Sequence, residues 1–151
     1  MAVIEGKKGM EEISPIGCDR HLRSETIGRV AVMVDGHPEI FPVNYAVDDR
    51  GDIYFRTDPG SKLSAVATAP TIAFEIDGID ETNQLGWSVL AVGPARWIGS
   101  PEMKAHARSL PLQPWAAGEK ANIVRLAPTK ITGRRIHRRH TAVVDPEREA
   151  E

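Results

Sequence analysis

Apolar residues in this chain alternate with polar or small ones in short runs, and turn signals separate the runs. In TIGRVAVMV, Val30, Val32 and Val34 alternate with Ala31 and Met33. That β-branched density predicts a strand buried on one face and covered on the other. Asp35-Gly36 follows, a two-residue hairpin signal. The run 39–48, EIFPVNYAVD, resumes as a strand, but Pro42 cannot donate to a ladder, so this strand is an edge, bulged or interrupted. Asp48 to Asp52 reads as a second turn and DIYFRT as a third strand, which completes an antiparallel meander. TIAFEID predicts a fourth strand, GIDETNQ a loop, and GWSVLAVGPARWIG a long fifth strand bent at Gly93-Pro94. ANIVRLAPTKITGRRI closes the pattern as a strand pair or one bent strand.

Three segments carry helical signals instead. Ser14 and Pro15 open a helix over about residues 15–24 in the N-cap and first-turn pattern. SKLSAVATA predicts a short helix that stops before Pro70. Ser100-Pro101-Glu102 starts a third, running to about Leu110, with PLQPWAAGEK a loop beyond it. Six or so strands with short peripheral helices imply a mainly β protein, a closed or partly closed antiparallel barrel.

Composition changes this picture little. The chain has 151 residues, 41% hydrophobic and 26% charged, which fits one domain with a real core. No apolar run approaches the roughly 18 residues of a membrane span, and no secretory signal pattern is visible, so a cytoplasmic protein without membrane contact is expected. Cys18 is the single cysteine, which excludes an intrachain disulfide and reads as a partly buried thiol on a short helix. His21, His37, His106, His137 and His140 show no metal-ligand spacing, so no metal is expected. The net charge is −2. The basic stretch 134–140 lacks interleaved aromatic residues, so it reads as a strand end entering a solvated tail, or as lining for an anionic cofactor, not as a nucleic-acid site.

The most informative chemistry lies in FRTDPGSKL, residues 55–63. Arg56 offers a planar fork and Lys62 a compact charge, while Thr57 and Ser61 add hydroxyls. The turn at Asp58-Pro59-Gly60 lets these groups converge, and the following helix start presents unpaired N–H groups. An anion cradle follows, with an ordinary helix cap plus a surface ion pair as the alternative. Asn44 in PVNY offers both donor and acceptor, which suits the edge of a flat heterocycle, or else it ties down its own turn. Tyr45 reads as core.

GRVAV (28–32), PVNY (42–45), FRTDPGSKL, FEID (74–77), GWSVLAVGPA (86–95) and RLAPTKITGRRI (125–136), in this order and spacing, resemble the pyridoxamine 5′-phosphate oxidase-like family of FMN-binding split β-barrels. The resemblance covers residues 13–136, leaving 1–12 and 137–151 as flexible termini. It implies a six-stranded split barrel forming a homodimer, with FMN in grooves at the subunit interface. It implies that Arg56, Thr57, Ser61 and Lys62 hold the phosphate, that Val43 and Asn44 run beside the ring, and that Arg29 and Val30 approach the cofactor. Trp87 and Ser88 would border the groove from the partner subunit, although Trp87 also fits a core position and Arg29 a surface one.

After RLAP, the spacing and order of Arg and His depart from true pyridoxamine phosphate oxidases, which argues against vitamin B6 oxidation. The likeness is greater to the short branch that includes nitroimidazole reductases. The implied activity is flavin-dependent oxidoreduction, with hydride or electrons passing through flavin N5 to a small-molecule acceptor and NAD(P)H as a candidate donor. No protein nucleophile is needed, and no catalytic residue is assigned. The alternatives are a reductase using the deazaflavin F420 and a non-catalytic flavin- or haem-binding protein.

Overall fold

The valines of TIGRVAVMV do form a strand, and the rest of the sheet is built outward from it. The computed structural model describes residues 10–58, 66, 71–112 and 122–136. In chain order the elements are β1 Met10–Glu12, α1 Pro15–Ser24, β2 Ile27–Val34, β3 His37–Val47, β4 Ile53–Thr57 and β5 Ile72–Asp80. They continue with β6 Leu85–Gly93, β7 Ala95–Trp97, α2 Pro101–Ser109, β8 Asn122–Leu126 and β9 Lys130–Ile136. Asp35 and Gly36, with φ of 49° and 83°, make the β2–β3 turn in the left-handed region that a tight hairpin requires.

Nine strand segments are hydrogen-bonded in the order β1-β9-β6-β5-β2-β3-β4-β8-β7, all pairs antiparallel. Six had been expected, and the difference lies in two bends and one extra strand. β6 pairs with β9 as far as Val92↔Lys130. Thr129 N then donates to Val92 O (2.8 Å) and Ala127 N to Pro94 O (3.1 Å), after which β7 pairs with β8 from Ala95↔Leu126. β6–β7 and β8–β9 are therefore two bent ribbons running side by side, and together with β5, β2, β3 and β4 they close a ring of six. A Cβ at Gly93 would lie 2.2 Å from Ala127 O, so only glycine permits the two bends to touch.

β1, whose residues fall in the terminus expected to be flexible, pairs along the outer edge of β9 from Met10↔Ile136 to Glu12↔Arg134. GIDETNQ is less of a loop than expected. β5 runs on to Asp80, whose carboxylate accepts from Asn83 N (3.1 Å) and Nδ2 (2.7 Å) in a tight turn. Pro42 does not interrupt β3. At residues 37–44 that strand pairs with β2, with Pro42 opposite Arg29, and its pairing with β4 begins only at Tyr45, so at Pro42 the other edge of β3 has no β4 ladder bond to lose.

The interior is filled from every wall of the ring: Val30, Ile53, Phe55, Phe74, Ile76, Val89, Val124 and Leu126 are fully buried. α1 seals one end through Cys18 and Leu22, four residues apart on one helix face. Cys18 is buried as expected, and burial raises its thiol pKa. α2 packs on the outside of β3 and β4, over Ala46, Tyr54 and Ile98. Its first turn is capped by Ser100 Oγ, which accepts from Met103 N at 3.2 Å. The helix expected in SKLSAVATA lies outside the described residues except for Val66, which is fully buried in the main core. Among the described residues no helix is long and apolar enough to cross a membrane.

Candidate functional site

β4 ends in Arg56-Thr57, beside Asn44 on β3. The β3–β4 register pairs Tyr45 with Phe55, and continuing it past the last pair sets Asn44 opposite Arg56 and Val43 opposite Thr57. Tyr45 and Phe55 are core residues. Side chains alternate along a strand, so Asn44 and Arg56 project outward while Val43 and Thr57 project inward. Asn44 Oδ1, Arg56 Nε and Thr57 Oγ1 are all buried without a hydrogen-bond partner among the described residues. A buried polar atom left unpaired costs about 1–3 kcal/mol, and folded proteins keep few of them. Asn44 and Arg56 are neighbours on the outer face, and their unpaired atoms make a place that can receive a polar ligand, whereas Thr57 ends the strand on the inner face. The outer pair supplies an acceptor and a charged donor, which suits a molecule carrying both an amide-like ring edge and an anionic group. Ser61 and Lys62, the other half of the expected cradle, lie outside the described residues.

The remaining expected residues divide by face. Registered partners in a ladder share a face, and Ile27↔Asn44, Arg29↔Pro42, Arg29↔Glu75 and Asp77↔Ser88 carry the outer face across the sheet. Arg29 and Ser88 therefore share the outer face with Asn44 and Arg56. Arg29 is already engaged: its Nε contacts Glu75 Oε2 at 2.9 Å and its Nη2 contacts Asp77 Oδ2 at 3.0 Å. The hydrogen bond to Glu75 raises the Arg29 pKa, and burial raises that of Glu75. Two carboxylates thus neutralise the guanidinium, which makes Arg29 a cross-strand tie and not a free phosphate ligand.

Val30 and Val43 point into the core, and Val30 is flanked by paired residues on both sides. Its side chain and peptide groups are committed to the barrel. Trp87 is on the inner face, packed at the edge of the core and stacked on His21 of α1 with ring centroids 3.8 Å apart. Outside the barrel, Met33 of β2, Ile40 of β3 and Leu90 of β6 are exposed apolar groups, where the sequence implies a covered second face.

The sequence reading did not identify a polar cluster at the β3–β4 turn. Asp48 is 4% exposed. Its Oδ1 accepts from the backbone N–H groups of Arg50 and Asp52, both at 3.0 Å. Its Oδ2 accepts from Tyr54 OH at 3.0 Å and lies 3.2 Å from His106 Nε2 on α2. Burial raises the Asp48 pKa, but the hydrogen bonds from Asp52, His106, Tyr54 and Arg50 outweigh it and leave the net shift downward. Burial and Asp48 push the Tyr54 hydroxyl up to about 12. Asp52 in turn holds Arg125, whose Nε and Nη2 lie 2.8 and 2.7 Å from Asp52 Oδ2. The cluster is saturated and ties α2 to the hairpin. Its only sequence signal was the acidic turn DDRGD, which gives no partner on a helix more than 50 residues away.

Known proteins agree with this geometry. An FAD-binding protein from Mycobacterium smegmatis superposes with a TM-score of 0.74 at 36% identity, covering 85% of this chain and 100% of that one. An FAD-binding protein from Mesorhizobium loti shares the fold, with a TM-score of 0.72 at 20% identity over 85% of this chain and 98% of that one. The uncharacterized protein Rv0080 of Mycobacterium tuberculosis is 34% identical over 122 residues, 78% of this chain and 79% of its own length. Residues 16–135 match the family model described as pyridoxamine 5′-phosphate oxidase. With the ring of six strands and the polar cluster at the end of β4, this places the chain in the pyridoxamine 5′-phosphate oxidase family.

Proposed function

We propose that this chain is a flavin-dependent oxidoreductase that binds FMN and passes reducing equivalents to a small-molecule acceptor. The observation that carries the reading is the pair of buried atoms without a partner among the described residues on the outer face, Asn44 Oδ1 and Arg56 Nε. Arg56, with Ser61 and Lys62 of the segment that follows, holds the phosphate by charge-assisted bonds. Asn44 meets the polar edge of the ring. A bound flavin supplies a ring that accepts and gives up hydride; the chain's residues bind it, orient it and exclude water around it. The M. smegmatis relative, named for FAD, supports a flavin nucleotide, and both flavin nucleotides present a phosphate to such a cradle.

The reading includes a homodimer with the cofactor at its interface. Its support is the outer face, where Met33, Ile40 and Leu90 are 58%, 69% and 39% exposed around the Arg29–Glu75–Asp77 cluster, an apolar surface with a polar centre of the kind a second copy covers. The test is the visible spectrum of the purified protein and the mass of the cofactor released from it. FMN is the expected mass. FAD or F420 would replace that choice, and the absence of any bound flavin or deazaflavin after reconstitution would overturn the reading. Unchanged flavin affinity in the Arg56→Ala, Lys62→Ala double variant would remove the phosphate cradle.

A further inference from the structure

A cleft of about 290 Å3 opens where α2 meets the barrel bend, lined by Pro94, Arg96, Trp97, Met103, Arg125 and Ala127. Arg96 and Arg125 are direct partners in the β7–β8 ladder. Like charges set opposite one another in a sheet repel, and the two arginines are not equally compensated. Arg125 is neutralised by Asp52 at 2.7 Å, whereas Arg96 has no ion-pair partner among the described residues, and none of the six lining residues is acidic. The cleft therefore carries about one uncompensated positive charge. Its walls are otherwise apolar: Trp97 stands 45% exposed, with Met103 and Pro94 beside it.

We propose that this cleft binds a small aromatic carboxylate. The free Arg96 guanidinium takes the carboxylate as a two-point pair, with the outward N–H groups of Arg125 as a second donor. The indole of Trp97 and the thioether of Met103 cover the ring. A singly charged ligand matches the single excess charge, whereas a doubly charged phosphate would be left half-paired. The volume is at the small end of ligand pockets, which suits one ring and one acid group. No residue of the cleft belongs to the Asn44–Arg56 site.

The test is calorimetric titration of the purified full-length chain with benzoate, with acetate and inorganic phosphate as comparisons. Benzoate is expected to bind saturably and to quench tryptophan fluorescence, and acetate and phosphate to bind more weakly. Arg96→Gln, an exposed change, should weaken benzoate by about tenfold with an unaltered circular dichroism spectrum and unaltered flavin content. Trp97→Leu should weaken benzoate too and leave acetate unchanged. Absence of saturable binding overturns the proposal, as does acetate or phosphate binding as well as benzoate, or full retention of benzoate by Arg96→Gln. Parallel loss of flavin and benzoate in Arg96→Gln would show that the cleft is part of the cofactor site and would also overturn it.

Discussion

Thr57 ends β4 with its side chain on the inner face. Its hydroxyl is buried with no partner among the described residues, so Thr57→Val removes no hydrogen bond. Thermal unfolding of the variant should match or slightly exceed the parent, with flavin affinity unchanged; a fall in flavin affinity would place the hydroxyl in the cofactor site. Asp48 presents the opposite case, a carboxylate whose hydrogen bonds are all made. Asp48→Asn should cost about 1–3 kcal/mol in chemical denaturation. The folded-state pKa of Asp48 lies below its ordinary 3.8, so its contribution is fully present above that value and is lost as pH falls through the lower, folded one. Stability should therefore decline below about pH 4, with a shallower decline in Asp48→Asn. Residue types alone could single out Arg56 as a candidate anion ligand, because its chemistry is local. They could not show that Arg29 is neutralised, because Glu75 and Asp77 reach it from a strand more than 40 residues along the chain.

Local elements were legible where the signal was local. The caps of α1 and α2, the Asp35-Gly36 turn and the alternation in β2 rest on short-range chemistry, and each is present as expected. The closing ribbon was harder to read. ANIVRLAPTKITGRRI is bent at Ala127–Thr129, where Pro128 breaks the ladder and the chain follows the Gly93-Pro94 bend on the neighbouring ribbon, a constraint set by pairing as well as by its own residues. Gly93 tests that account. Gly93→Ala places a methyl group 2.2 Å from Ala127 O, which must separate the two bends. Denaturation should show a loss of about 2 kcal/mol or more, and amide exchange should quicken at Ala127 and Thr129. Unchanged protection there would mean that the ring closes without the contact.

Across the whole molecule, the inward face makes the barrel and the outward face carries Asn44, Arg56 and the Arg29 cluster. Strand alternation settled the first, and the family resemblance supplied the expectation for the second, since a row of side chains drawn from β3, β4 and β6 cannot be read from any one of them. Trp87 shows the limit. Its placement beside glycine fitted a groove wall, yet it faces inward and stacks on His21. The outer face also carries the proposed subunit contact, so Ile40→Glu should shift the sedimentation profile to monomer and lower flavin content with it, and a dimeric Ile40→Glu protein would move that contact elsewhere. The central claim is that a flavin phosphate completes the unpaired atoms at the end of β4. Its most direct test is the dissociation constant for FMN of the reconstituted parent protein beside that of Arg56→Ala, measured by flavin fluorescence. A rise of at least about tenfold on losing Arg56 is predicted; equal constants, or no FMN binding by the parent, would contradict it.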